Sequence, residues 1–290
     1  MFDTHCHLNF SRFSGREQDV IDQARKGGVT KIVVPGTDIK TSIKALKLAK
    51  QYEHVYAAVV IHPHHVYEQI QNSKLPSTMF RVNKIQNTSV EIKNSLLEIE
   101  AFIQHEKVVA VGEVGLDKHY YQETKYIDYT IGPEFINLQK ELLIAQIQLA
   151  IRHKKSLILH NREAKQEFLE VMEKNWDDCL AFKTVFHCCE ADKDLLSFAQ
   201  EHHIFIGVDG DVTYDLKKQE FIKTIPLDLL VLETDSPYLL PEPLRTQKLF
   251  PNEPKNIPLI AQGISEITNT SIKRLIEVTT ENAKRLFDLD

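Results

Sequence analysis

His5 and His7 stand two residues apart near the N-terminus. If the run around them is extended, the strand period of two turns both imidazoles to one face, where they can share one metal ion. Alone the pair is weak, because two partly exposed strand-end histidines would look the same. Four further residues shift the balance: Glu113 after Val109-Ala110-Val111-Gly112, His160 after the apolar run 156–159, His187 after Val185-Phe186, and Asp235 after Val231-Leu232-Glu233-Thr234. Each is a polar side chain at the carboxyl end of an apolar run, a placement that is costly unless the group is paired or metal-bound. Four imidazoles and two carboxylates suit zinc, manganese or similar ions, and a carboxylate between two groups of histidines can bridge a metal pair. The pattern points to a binuclear site.

Such a set must be carried by strands ending at one place. Apolar, β-branched-rich runs are expected to form strands at residues 2–8, 31–35, 55–61, 108–114, 156–159, 182–186, 204–208 and 229–232, with helical segments between them. Gly27-Gly28 stops the first helix, expected at 17–26, and the long helix at 134–153 carries Leu138, Leu142, Ala145 and Leu149 as one apolar stripe. Runs apolar throughout indicate strands buried on both faces, and β-then-α alternation indicates a parallel sheet. Eight such units fit a (β/α)8 TIM barrel, read here as one domain over 1–290, whose active site sits at the carboxyl ends of its strands. A doubly wound open sheet is the rival, but no Gly-x-Gly-x-x-Gly follows the first strand. Residues 71–87 and 237–258 read as βα loops or their extensions.

With 26% charged and 42% hydrophobic residues, the 290-residue chain is too apolar to be disordered. Thirty-five Lys and Arg against 41 Asp and Glu leave a charge of -6, which excludes a generic basic DNA-coating protein. A nucleic-acid enzyme of this charge needs local cations or metal ions. The longest apolar runs, such as 57–61 and 229–232, fall far short of a membrane span. The opening Met1-Phe2-Asp3-Thr4-His5 has no secretory signature, so a cytoplasmic location is expected. Cys6, Cys179, Cys188 and Cys189 lack framework spacing and suit a reducing compartment; no long heptad suggests an oligomer, and a monomer is expected. His202-His203 reads as a helix-end cap, and His54, His105, His119 and His153 have no partners at ligand spacing.

Three segments resemble the signatures of the TatD-type metal-dependent deoxyribonucleases, a branch of the amidohydrolase superfamily: Asp3-Thr4-His5-Cys6-His7-Leu8, Gly112-Glu113-Val114-Gly115-Leu116-Asp117 and Glu233-Thr234-Asp235-Ser236-Pro237. Supporting segments, in matching order, are His62-Pro63-His64, His160-Asn161-Arg162-Glu163-Ala164, Gly207-Val208-Asp209-Gly210, Asn252-Glu253-Pro254 and Thr280-Glu281-Asn282-Ala283-Lys284-Arg285-Leu286-Phe287. The resemblance implies His5, His7, Glu113 and Asp235 around one metal, with Glu113 bridging to a second held by His160 and His187. It also implies His64 near the substrate and Arg162 on a phosphate oxygen. Against that role, Arg162 could form a surface ion pair with Glu163 or a nearby acid.

The chain departs from the family pattern in Cys188-Cys189-Glu190 after His187, where an aromatic, a serine and a glycine are common, and in Val60 and Asp209. Glu190 would repel phosphate beside the substrate; the two thiols are expected to be buried and inert. The tyrosine-rich stretch 118–133, with Tyr120, Tyr121, Tyr126 and Tyr129, is either a stacking lid for bases or an insertion whose rings cover the barrel rim. The expected activity is hydrolysis of DNA phosphodiester bonds by a hydroxide activated on two divalent ions (Mg2+, Mn2+ or Zn2+), with Asp235 and Glu113 catalytic and single-stranded ends as substrate. The alternatives are amide or ester hydrolysis of the amidohydrolase type, for example aminoacyl-tRNA deacylation, and an inactive barrel used as a binding scaffold.

Overall fold

The computed structural model describes residues 1–68, 90–126 and 128–290, so the loop expected at 71–87 lies outside it. Eight parallel strands form one sheet in the order of the sequence: β1 (Phe2–Asp3), β2 (Lys31–Pro35), β3 (Val55–Val59), β4 (Val108–Asp117), β5 (Ser156–Arg162), β6 (Thr184–Phe186), β7 (Phe205–Val208) and β8 (Leu230–Leu232). The ring closes between β8 and β1, where Thr4 N–H donates to Leu232 O at 3.0 Å and Cys6 bridges Ser236 in parallel. The expected TIM barrel is what the chain forms.

Helices return the chain between strands, among them α1 (Glu17–Lys26), α2 (Ile39–Gln51), α3 (Val90–Ile103), α4 (Pro133–His153), α5 (Lys165–Asn175), α6 (Lys193–Glu201) and α7 (Leu216–Ile222), and α8 (Ile257–Thr268) and α9 (Ile272–Phe287) follow β8. Inside the barrel each strand contributes to one apolar layer: Phe2, Val33, Ala58, Val109 with Ala110, Ile158, Val185, Phe205 and Val231. Phe287 of α9 plugs that layer from the amino-terminal end, its ring 5.7 Å from Phe2. Residues one position along, such as Val34, Ala57, Leu157 and Leu159, face the helices in a second cluster. This two-sided burial explains why the strand sequences are apolar throughout.

Several boundaries differ from expectation. Strand one is only Phe2–Asp3; past Asp3 the chain keeps one bond to β2, Cys6 N–H to Val33 O at 3.0 Å, and otherwise pairs with β8 and the segment that follows it. β4 and β5 run on to Asp117 and Arg162, so His160 lies within its strand, as Glu113 does, and does not follow it. The 237–258 loop ends early, with Pro258 in the first turn of α8, where a missing N–H costs nothing. Among the described residues no helix is long and apolar enough to cross a membrane.

Candidate metal centre

Glu113 owes its position to a β-bulge. Gly112 pairs with Ile158 and Val114 with Leu159, leaving Glu113 as an extra residue in β4, and such a bulge redirects one side chain out of the ladder. Gly112 permits it: a Cβ there would lie 2.4 Å from the Ile158 side chain. The carboxylate thereby enters the barrel mouth with its two oxygens facing different groups. Oε1 is 3.3 Å from His5 Nε2 and 3.4 Å from His7 Nε2. Oε2 is 3.5 Å from His187 Nε2, 3.7 Å from His160 Nδ1 and 3.8 Å from His62 Nε2.

The first group is completed by Asp235, whose Oδ1 is 3.4 Å from His7 Nε2 and 3.8 Å from His5 Nε2, while the two imidazole Nε2 atoms are 3.3 Å apart. Four ligands at about 2.1 Å from one ion in a tetrahedron would stand about 3.4 Å from each other. The five separations above, 3.3 to 3.8 Å, lie close to that spacing. Glu113 Oε1 and Asp235 Oδ1 are buried and accept no hydrogen bond, a state that a cation resolves. His5, His7, Glu113 and Asp235 therefore fit one ion.

In the second group His187 and His160 are each gripped from behind by a carboxylate. His187 Nδ1 lies 3.1 Å from Glu233 Oε1, and His160 Nε2 lies 3.1 Å from Asp117 Oδ2. Carboxylate–histidine pairs of this kind orient metal-ligating rings and raise their basicity. Burial disfavours charge on both rings, yet hydrogen bonds to Asp117 and Glu113 raise His160 to about 9, and Glu233 and Glu113 raise His187 to about 10. Burial likewise opposes ionisation of Glu113 and Asp235, and the surrounding imidazoles hold both below the ordinary carboxylate range. The carboxylates thus favour positive charge at His160 and His187, whereas burial lowers His5 and His62.

Asp3, wholly buried, ties the two ends of the barrel together. Its Oδ1 accepts from His5 N–H and Thr234 N–H, and its Oδ2 from the Thr234 hydroxyl at 2.7 Å. Asp235 N–H in turn donates to His5 O at 3.0 Å, so one seam positions His5 and Asp235 together. Asp235 sits at φ 47, the left-handed region that Asp tolerates better than most residues.

Reasoning from sequence singled out His64, but it is His62 that faces Glu113 and His160. The His64 N–H donates to His62 Nδ1 at 3.1 Å, so the neutral ring of His62 carries its proton on Nε2, toward the pocket. His64 instead packs among Tyr121, Tyr126 and Tyr129, where burial and the adjacent His65 pull it down to about 4. Arg162 is exposed and makes no ion pair with Glu163, which pairs with His119. Its guanidinium lies over the Tyr121 ring and donates to the Tyr121 hydroxyl at 3.1 Å, and that hydroxyl donates to Asp117. Asp117 and Glu233 were missed as functional residues. Their only signal in the sequence is an acid beside each strand-end motif.

Tyr126 and Tyr129 are 7% and 6% exposed and pack on Tyr67, with Tyr129 also against Phe135, so those rings cover the rim. Glu190 is tied to the Asn161 amide and Glu163 N–H. Cys189 is buried; Cys188 is half-buried, beside Lys218, Asp209 and Asp211. His202 caps α6, against Trp176 and Phe198.

A (β/α)8 barrel with histidines and carboxylates converging at the carboxyl ends of its strands defines the class of barrel metallohydrolases. The chain matches the family "TatD related DNase" over residues 2–288 and belongs to it, a metal-dependent hydrolase family by the names its members carry. It is 30% identical to the uncharacterized metal-dependent hydrolase YabD of Bacillus subtilis, covering 100% of both chains. It is 29% identical to the 3'-5' ssDNA/RNA exonuclease TatD of Escherichia coli K12, covering 100% of this chain and 99% of that one. Among solved structures, the TatD homolog YjjV of E. coli superposes with a TM-score of 0.80 at 26% identity, covering 100% of this chain and 98% of that one. The phosphotriesterase homology protein of E. coli, at 13% identity and TM-score 0.64 over 99% and 98% of the two chains, shares the fold.

Proposed function

We propose that this protein hydrolyses phosphodiester bonds of DNA, acting as an exonuclease on single-stranded ends. One observation carries the reading: the two oxygens of Glu113 face two separate sets of ligand atoms, His5, His7 and Asp235 on one side and His160 and His187 on the other. That is the arrangement of a carboxylate shared by a pair of divalent cations. When bound, such ions would supply Lewis-acid polarisation of a phosphoryl oxygen and acidify water, and they would offset the chain's net charge of -6 toward a polyanion.

The remaining chemistry falls to the side chains. Asp235 is 15% exposed, against 0 to 6% for His5, His7 and Glu113, so it lines the open side of the pocket. With Oδ1 turned to the histidines, its Oδ2 is left to take the proton of the attacking water. His62 presents its Nε2–H to a phosphoryl oxygen. Arg162, braced on Tyr121, offers a fixed fork of donors to a flanking phosphate.

Metal-reconstituted protein incubated with 5'-labelled single-stranded and duplex DNA tests the proposal. Stepwise shortening from one end of the single strand is expected. Intact DNA with Mg2+, Mn2+ and Zn2+, together with turnover of an ester panel that includes aminoacyl-tRNA, would overturn it in favour of ester hydrolysis.

A further inference from the structure

Tyr238 is 54% exposed although it belongs to the same tight turn as Asp235, its N–H donating to Asp235 O at 2.9 Å. Its ring meets Phe10 edge-on, with centroids 6.4 Å apart and planes at 73°. Phe10 in turn lies flat on His7, 4.3 Å away with planes at 11°. A continuous aromatic path thus runs from a candidate ligand of the first cation group to an open ring at the rim. The neighbouring loop lengthens this apolar edge: Asn252 N–H donates to Pro237 O at 3.1 Å, so the exposed Leu249 and Phe250, 56% and 55% accessible, lie on the strand of chain beside it.

Of the tyrosines in the stretch 118–133, Tyr120 is exposed, and its ring meets Tyr129. Tyr126 and Tyr129 are buried in the rim, and the ring of Tyr121 carries the Arg162 guanidinium. A ring left half in water and joined through Phe10 to a candidate ligand offers a stacking surface beside the site.

We propose that Tyr238, backed by Phe10, is a stacking platform for the nucleobase next to the scissile phosphate. The inference rests on the phosphodiesterase reading and extends it. It makes the preferred substrate an unpaired base, since a base held in a duplex cannot leave its own stack without cost. Recognition through a π-face is tolerant of base identity, so the platform selects single strands without selecting sequence. Arg162 on one wall and Tyr238 on the other would then hold the backbone and the base on opposite sides of Glu113.

The test uses metal-loaded protein and short single strands carrying 2-aminopurine at either terminus, with a phosphorothioate at the terminal linkage to slow turnover. Stacking quenches 2-aminopurine, so wild type and Tyr238→Phe should both bind with quenching. Tyr238→Leu, with unchanged metal content as the check on folding, should bind about 5- to 150-fold more weakly and lose the quench, the range for one base–aromatic stack. Replacing the terminal base with an abasic residue should weaken wild type by a similar factor and Tyr238→Leu hardly at all. Additive losses, or a quench retained by Tyr238→Leu, would overturn the platform while leaving the phosphodiesterase reading intact. Wild type that neither binds nor cuts any oligonucleotide would refute that reading and the platform with it.

Discussion

Glu233→Gln removes one negative charge from behind His187 while keeping shape, which isolates what that charge does. His187 Nδ1 and Cys188 N–H both bond to the same oxygen, Oε1, at 3.1 and 2.6 Å. A glutamine can therefore keep its carbonyl oxygen there and turn its amide to the other position, facing the Thr4 hydroxyl that lies 3.4 Å from Oε2. Space allows nothing larger, since a Cβ on Gly207 would already come within 2.5 Å of Oε2. Converting a charge-assisted bond to a neutral one costs about 1 kcal/mol, so the two bonds together should lower stability by about 2 kcal/mol. Only the bond to His187 bears on metal affinity, and its loss of about 1 kcal/mol predicts a Kd raised about 5-fold at one of two sites, just below the range of about 10- to 100-fold for such partners. Titration calorimetry of Mn2+ into metal-stripped protein, beside urea denaturation, reads both quantities. An unchanged affinity at both sites with the full stability loss would show that Glu233 merely braces the Cys188 loop, and the reasoning would fail.

Glu113→Ala should reduce metal content at both sites more than any other single ligand change, measured by elemental analysis after dialysis; retention of two tightly held ions would remove Glu113 as the bridge. Asp235→Asn keeps one oxygen ligand but loses the base and a charge, so turnover should fall about 10²- to 10⁴-fold in single-turnover assays, with the ion at Glu113, His160 and His187 retained. Near-normal turnover would exclude Asp235 as the proton acceptor. Arg162→Ala should raise KM for DNA with metal content unchanged, because its side chain is exposed and touches Tyr121 and none of the candidate ligands. An unaltered KM would leave Arg162 as a brace for Tyr121.

The barrel was legible because its strands are buried on both faces, which forces apolar runs that stand out from the amphipathic helices between them. The six candidate ligands were legible for the reverse reason: His5, His7, Glu113, His160, His187 and Asp235 interrupt or end those runs with groups that burial penalises. What the sequence alone determined was therefore which residue types meet at one end of one barrel.

Residue types and spacing left open how they divide, which only the family resemblance implied. That Glu113 points each oxygen at a different set depends on a bulge opposite Ile158 and Leu159, residues some 45 positions along the chain, and a pairing register is a property of two strands together. That His62 faces Glu113 and His160 while His64 packs among tyrosines depends on contacts between elements, and the His62 tautomer on one hydrogen bond from a backbone N–H. The Asp117 and Glu233 partners of His160 and His187 arise from contacts across strands, as does the Asp3–Thr234 seam that joins the two ends of the chain. Local sequence encodes burial and period, whereas orientation, tautomer and paired charge come from neighbours that only closure of the barrel brings together.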